Sequence, residues 1–204
     1  KAGTDPTLSV GGILDSIGGN MRIGGRDYFV TEACEYTNSF LSFSPKIGLI
    51  LNIEEDHLDF FKDLEDIRHS FRLFAELLPA EGCLIINGDI PRLEEITGGL
   101  KCPVITFGSG PSCSYYPDQI TYDREGCAGF CLHGPEGSRR QFSLRVPGEH
   151  NVYNAVAAAA LADLLSIDSH ITQEALRDFR GTERRFEHKG TVGGVTVIDD
   201  YAHH

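Results

Sequence analysis

The sequence predicts an α/β fold: a mostly parallel sheet with flanking helices, plus a small antiparallel sheet. Several short apolar runs end abruptly in polar residues, which is typical of buried parallel strands. A helical pattern separates some of these runs, as parallel strands require. Between residues 109 and 146, short alternating runs are broken by glycine and proline, which favours antiparallel pairing. The length of 204 residues allows one domain and part of another.

The N-terminal part contains three glycine pairs and two candidate strands. The pairs at residues 11–12, 18–19 and 24–25 predict turns. The apolar runs at residues 28–30 and 47–51 predict buried parallel strands, and both lead into acidic residues. We therefore expect both strands to carry polar groups at their carboxyl ends.

The middle and C-terminal parts alternate helices with strands. Apolar residues recur at helical spacing over residues 64–78, and Pro79 with Gly82 ends that helix. The segments "CLIINGD" and "PVITFG" predict two more strands. "EHNVYNAVAAAALADLLSI" predicts an alanine-rich helix with Asn151 at its N-cap. Near the end of the sequence, "TVIDDYAHH" predicts a strand that runs into charge.

Composition excludes several classes of function. The formal net charge of -12 argues against nucleic acid or an anionic membrane as the main partner. There is neither an apolar run long enough for a membrane span nor a signal-peptide pattern. The six cysteines form no CxxC pair, which indicates reduced thiols and a cytoplasmic location, and a metal shared by Cys127 and Cys131 is disfavoured.

Polar groups that follow parallel strands predict a ligand site, because ligands bind beyond the carboxyl ends of such strands. Three sets follow apolar runs here: Glu32, residues 52–59 and residues 199–204. His57 with Glu32 suits magnesium or manganese bound together with a nucleotide. The alternative is that the carboxylates cap helices, and Asp56 or Asp59 is expected to cap the next one.

Two further segments are candidates for nucleotide contacts. Asn151 and Asn154 lie one turn apart, where their amides can reach a planar ligand, although Asn151 can equally be a cap alone. Arg184 and Arg185 in "GTERRF" suit a phosphate clamp or simple solvation. The sequence contains no GxxxxGK[ST] phosphate loop.

Four motifs in order resemble the Mur ligases: "TEACEYTNSFLSFSPKIGLILNIEEDHLDFF", "VPGEHNVYNAVAAAALA", "GTERRFE" and "DDYAHH". The resemblance covers essentially the whole chain and is strongest to the alanine-adding branch. It implies a central ATP-binding domain over residues 1–180, followed by a linker and the start of a C-terminal domain over residues 181–204. It also implies ATP and Mg²⁺ as cofactors, UDP-N-acetylmuramate and L-alanine as substrates, and amide formation through an acyl phosphate.

The resemblance also implies roles for individual residues. Glu32 and His57 are magnesium ligands near the reacting phosphate, and His57 and Arg185 act in catalysis. Asn151 and Asn154 contact adenine, Arg185 also binds phosphate, and Asp200 contacts the ribose. Tyr201 and His203 face the substrates.

Two departures from the family pattern qualify these roles. The phosphate loop with its lysine and threonine is expected upstream of Lys1, so the chain alone is predicted to be inactive. Several sister enzymes use a carbamylated lysine in the helix after the histidine. Here that region reads "RHSFRLF" with Arg72, which fits the alanine-adding branch and its relatives. The alternatives are a recycling ligase that adds a preformed peptide to the same sugar, a metal-dependent hydrolase built on "DHLD", and a binding domain without catalysis.

Overall fold

A three-stranded parallel sheet carries helices on both faces. In the computed structural model, which describes residues 1–201, β4 (Ile47–Ile50), β5 (Cys83–Asn87) and β6 (Val104–Phe107) pair in the order β4-β5-β6. Leu84 and Ile86 belong to one buried cluster, whereas Cys83 and Ile85 belong to another. Alternate side chains of a strand point to opposite faces, so β5 is buried on both. The predicted strands at "CLIINGD" and "PVITFG" are confirmed.

Helix α1 (Leu64–Glu76) covers one face of this sheet, as predicted. The carboxylate of Asp63 accepts a hydrogen bond from the backbone N–H of Asp66 at 3.0 Å and caps the helix. The expectation that Asp56 or Asp59 would cap this helix is therefore wrong. Both carboxylates accept other hydrogen bonds instead. That of Asp56 accepts from the backbone N–H of His57, and that of Asp59 accepts from the hydroxyl of Tyr36. A four-residue helix, α2 (Glu94–Thr97), lies beside α1.

Helix α3 (Glu149–Leu164) covers the other face and is almost wholly buried along its alanines. Its N-cap is Gly148, at a φ of 98°, so the prediction of Asn151 as the cap is wrong. Asn151 lies within the first turn, where its side-chain N–H donates to the carbonyl of Pro147 at 2.8 Å. Glycine tolerates the left-handed backbone at the cap position, and the observed N-cap lies three residues upstream of the predicted one.

The predicted antiparallel sheet is present beside α3. It consists of β7 (Tyr116–Tyr122), β8 (Cys127–His133) and β9 (Arg139–Pro147) in that order. The guanidinium of Arg140 on β9 forms two hydrogen bonds, at 2.7 and 2.5 Å, with the carboxylate of Asp163 on α3. The hydroxyl of Tyr115 donates to the same carboxylate at 3.1 Å. This network fixes α3 to the sheet. Helix α4 (Ser169–Asp178) then packs on β9.

The N-terminal residues form a separate three-stranded sheet, in the order β2-β1-β3. Its strands are β1 (Thr7–Leu14), β2 (Gly19–Arg22) and β3 (Phe29–Thr31). A strand at residues 28–30 was predicted to be buried, but Phe29 is 62% exposed because β3 pairs with β1 and not with β4. The glycine pair at 11–12 lies within β1, so the turn predicted there is also wrong.

The last two strands among the described residues, β10 (Glu187–Val192) and β11 (Val195–Asp199), form a hairpin. The second of these is the strand predicted in "TVIDD". Within residues 1–201, no helix has the length and apolar character needed to cross a membrane. All six cysteines are free thiols.

Candidate metal and nucleotide site

His57 lies in the loop that follows β4, and the backbone around it is tightly folded. Its φ of 52° places it in the left-handed region, which is uncommon for a residue other than glycine. Its N–H donates to the carboxylate of Asp56 at 2.7 Å. Its carbonyl accepts from the N–H groups of Phe60 and Phe61 at 2.9 and 3.0 Å, and Phe61 is buried. These bonds hold the imidazole at a defined position at the edge of the sheet.

Two carboxylates face the imidazole of His57. Its Nε2 lies 3.6 Å from Oδ2 of Asp56 and 3.9 Å from Oε1 of Glu35. One ligand atom from each of the three residues falls within 4.8 Å of the others, and the side chains are half-buried. In the part of the chain that the structure describes, this is the one group of three such residues that is close enough to share an ion. Two carboxylates and an imidazole suit Mg²⁺ or Mn²⁺.

A cavity of about 160 Å³ lies beside this group. Its polar wall contains the carboxylates of Glu35 and Asp56, and its floor is apolar. The lining residues are Glu35, Asn52, Glu54, Asp56, Phe61, Ile67 and Phe71. The acidic residues after β4 therefore line a cavity at the carboxyl end of a parallel strand, where the sequence predicted a site.

Glu32, the other predicted metal ligand, is held elsewhere. Its Oε2 accepts a hydrogen bond from the backbone N–H of Gly11 at 2.6 Å. No group of three potential ligands among residues 1–201 includes Glu32, and Glu35 occupies the place beside His57. The role of Glu32 as a metal ligand stays a prediction. Asp56 was expected to face a helix end or solvent, and its position beside His57 corrects that expectation.

Strand β1 brings Glu32 near the linker that follows α4. Three consecutive residues of this strand make the contacts: Gly11 bonds Glu32, Gly12 packs against Thr182, and the carbonyl of Ile13 accepts from the N–H of Glu183 at 3.2 Å. Residues 182–183 directly precede the two arginines of the linker. The sequence signal for this arrangement was the glycine pair in β1, which we had interpreted as a turn.

The predicted nucleotide residues fall into two groups. Asn151 and Asn154 lie on the first turns of α3, and the amide of Asn154 donates to Oδ1 of Asn151 at 3.3 Å. Arg185 is exposed in the linker. Asp200 lies near it, because its carboxylate accepts from the N–H of Phe186 at 2.8 Å.

Of the two predicted substrate contacts, Tyr201 is described. It is exposed, and its N–H donates to the carbonyl of Arg184 at 2.8 Å. The linker arginines and the start of the "DDYAHH" motif are therefore neighbours. The predicted substrate contact His203 lies outside the described residues.

Sequence reasoning missed Glu35 and Tyr36. Both belong to the "TEACEY" segment, where only Glu32 was singled out. Tyr36 begins a short 3-10 segment, Tyr36–Ser42, and its hydroxyl donates to Oδ2 of Asp59 at 2.8 Å. This hydrogen bond and the charge of Asp59 raise the pKa of Tyr36 above its usual value. The sequence signal that could have identified Glu35 was its position as an acidic residue three places after Glu32.

Comparison with known proteins identifies the family of the chain. A family model described as the Mur ligase middle domain matches residues 14–162. The UDP-N-acetylmuramate--L-alanine ligase of Lachnospira eligens is 57% identical over 204 residues, which is the whole of this chain and 44% of that protein. The chain thus spans less than half the length of the curated relatives that it matches.

Solved structures give the same result. The UDP-N-acetylmuramate-alanine ligase of Thermotoga maritima aligns with a TM-score of 0.81 and 31% identity, over 98% of this chain and 45% of that one. A murein peptide ligase from Psychrobacter arcticus aligns with a TM-score of 0.76 and 25% identity, over 98% of this chain and 46% of the other. The parallel sheet with its appended antiparallel sheet, and the match over residues 14–162, establish that the chain belongs to the Mur ligase family as a middle domain.

Proposed function

We propose that the chain is the central ATP-binding part of a ligase that joins L-alanine to the carboxylate of UDP-N-acetylmuramate during peptidoglycan precursor synthesis. The observation that carries this proposal is the 57% identity, along the entire chain, with the UDP-N-acetylmuramate--L-alanine ligase of Lachnospira eligens. Two of the motifs have defined places in the fold. The loop around His57 lies at the carboxyl edge of the parallel sheet, and the linker arginines directly follow the residues that contact β1.

The proposed reaction has two steps. The carboxylate oxygen of the sugar attacks the γ-phosphorus of ATP, the bond to the β-γ bridging oxygen breaks, and ADP leaves. The amine of L-alanine then attacks the carbonyl carbon of the acyl phosphate, inorganic phosphate leaves, and the amine loses a proton. Both steps depend on positioning and on neutralising negative charge on phosphate oxygens.

The residues around His57 fit a magnesium ion. Glu35, Asp56 and His57 offer oxygen and nitrogen ligands within 4.8 Å of one another, and a cavity adjoins them. We propose that these residues would hold Mg²⁺, together with Glu32 as the resemblance implies. The ion supplies positive charge that offsets the charge of the phosphate oxygens.

The nucleotide contacts remain proposals for the residues named from the sequence. Asn151 and Asn154 would contact adenine, since their amides lie together on the first turns of α3. Arg185 would bind phosphate and Asp200 the ribose, and the neighbouring contacts of Phe186 and Tyr201 keep these two segments close together. Tyr201 and His203 would face the substrates.

We also propose the division at residue 180. Helix α4 ends at Asp178, and the linker leads to a hairpin whose two strands pair only with each other among the described strands. Residues 1–180 would then be the central domain, and residues 181–204 the linker with the start of the next domain. A cytoplasmic location belongs to the same proposal, and the six free thiols are consistent with it.

The test uses the protein encoded by the complete open reading frame that contains this chain. It is incubated with ATP, Mg²⁺ and UDP-N-acetylmuramate, with either L-alanine or a preformed peptide as the amine. We expect phosphate release and a product heavier by one alanyl residue with L-alanine. Product formed only with the peptide would identify the recycling ligase instead. Phosphate release without any amine-containing product would overturn both in favour of a hydrolase.

A further inference from the structure

The aromatic ring of Tyr36 packs against the imidazole of His57. The ring centroids are 4.6 Å apart, and the planes are inclined by 32°. Tyr36 directly follows Glu35, whose carboxylate faces Nε2 of the same imidazole. One short segment therefore contacts His57 twice, once at a ring nitrogen and once across the ring face.

Tyr36 is itself held in place from two sides. Its hydroxyl donates to Asp59, and its ring makes an edge contact with Phe60 at a centroid distance of 6.1 Å. Phe60 in turn makes an edge contact with Phe61, which is only 2% exposed. The ring of Tyr36 is thus connected through aromatic contacts to the core beneath the loop.

We propose that Tyr36, anchored by Asp59, is a positioning residue that holds the imidazole of His57 with Nε2 directed at Glu35 and Asp56, ready for a divalent cation. This inference rests on the proposed metal site. A ligand side chain that is already fixed loses less conformational freedom when the ion binds, so the affinity rises. Tyr36 is not itself a metal ligand in this arrangement.

A purely structural role for Tyr36 predicts a different result. The residue is 38% exposed, so its removal takes little apolar surface from the core and changes stability little. A positioning role instead predicts a loss of metal affinity without a matching loss of stability. The two roles are therefore separated by measuring both quantities on the same variants.

The experiment titrates the chain with Mn²⁺ alone and follows the paramagnetic broadening of the His57 ring protons by NMR. We expect Tyr36→Leu to weaken Mn²⁺ binding about tenfold and Tyr36→Phe, which keeps the ring, by less than about threefold. Phe43→Leu is the matched control, since Phe43 directly follows the same segment and is 37% exposed. It should leave the affinity unchanged. If Tyr36→Leu fails to fold by circular dichroism, Tyr36→Gln replaces it.

A second readout needs no metal. The nearby aromatic ring should displace the His57 ring-proton resonances from those of a free histidine, and Tyr36→Leu should return them toward that position. Equal Mn²⁺ affinities in the unaltered chain and in Tyr36→Leu would overturn the role of Tyr36 but leave the metal site standing. Absence of His57 broadening in the unaltered chain would overturn the metal site and the positioning role together, even where the ring displacement is present.

Discussion

The carboxylate of Glu32 is bound to the backbone N–H of Gly11, at 2.6 Å. This contact requires a glycine, because a Cβ at residue 11 would lie 2.7 Å from Oε2 of Glu32. The strand that carries Gly11 also contacts the linker through Gly12 and Ile13. The position of Glu32 therefore depends on a residue far from the acidic loop around His57.

We predict that Gly11→Ala lowers ligase activity while changing stability little. The new methyl group meets only the end of a flexible side chain, so Glu32 swings away at small energetic cost. If Glu32 contributes to the metal site from the position that Gly11 gives it, the activity of the complete protein should fall about tenfold or more. Gly19→Ala is the control, since nothing lies within 4 Å of a Cβ there. Unchanged activity in Gly11→Ala would remove Glu32 from the site.

We predict that His57→Ala leaves the fold intact and reduces turnover of the complete protein by about 100-fold or more, because the proposed metal site would lose its imidazole ligand. Turnover and thermal unfolding are measured together. His69→Ala, on the exposed face of α1, serves as the control. Turnover like that of the unaltered protein would mean that His57 serves the loop structure alone.

We predict that Asp63→Ala destabilises the chain by about 1 kcal/mol, because the N–H of Asp66 loses its acceptor at the start of α1. The free energy of unfolding in urea gives the measurement. Lys62→Ala changes the adjacent exposed side chain and should have an effect within about 0.5 kcal/mol of zero. Equal effects of the two substitutions would contradict the assignment of Asp63 as the cap.

We predict that stability falls between pH 10 and 12 partly through Tyr115. Burial, with the nearby charge of Asp163, raises the pKa of Tyr115 from 10.0 to about 12. The folded state holds this proton more tightly than the unfolded state, so its contribution is complete below pH 10 and is lost as pH rises through the folded pKa. Tyr115→Phe should flatten this part of the curve of unfolding free energy against pH. Tyr122→Phe, at an exposed position, should not. An unflattened curve in Tyr115→Phe would refute the prediction.

We predict that the 204-residue chain by itself neither hydrolyses ATP nor forms an amide. Its sequence lacks the GxxxxGK[ST] loop, whose backbone N–H groups and lysine bind the phosphates. The measurement is phosphate release by the purified chain, with a His57→Ala preparation as the control for contaminating enzymes. Turnover that disappears in the control would contradict this prediction.

Sequence patterns predicted elements that depend on local chemistry. The apolar periods of α1, β5 and the alanine-rich α3 led to confirmed elements, because burial alone determines those patterns. The boundary of α3 was wrong because Gly148 adopts a conformation that no periodicity reveals. The pairing of β3 with β1 was missed because an apolar run does not encode which strand lies beside it.

The sequence predicted the location of the candidate site better than it predicted which residues form it. The polar residues after β4 and the role of that sheet edge followed from the general rule for parallel strands. Glu35, and not Glu32, belongs to the group beside His57, and the backbone that follows it is irregular: Thr37 and Asn38 have φ values of 55° and 58°. Left-handed residues of this kind reverse the chain locally, and side-chain spacing in the sequence cannot specify that reversal.

The parallel sheet β4-β5-β6 is more deeply buried than the N-terminal sheet β2-β1-β3. This difference predicts which of the two sheets opens to solvent more readily. Amides of β5 lie between two paired strands, and Leu84, Ile85 and Ile86 are fully buried, so hydrogen exchange there requires global unfolding. Side chains of the β2-β1-β3 sheet are more exposed, with Met21 at 65% and Phe29 at 62%, so we expect its amides to exchange through smaller local openings. Glu32 directly follows β3, and we therefore expect its position to be lost in openings that leave β5 intact.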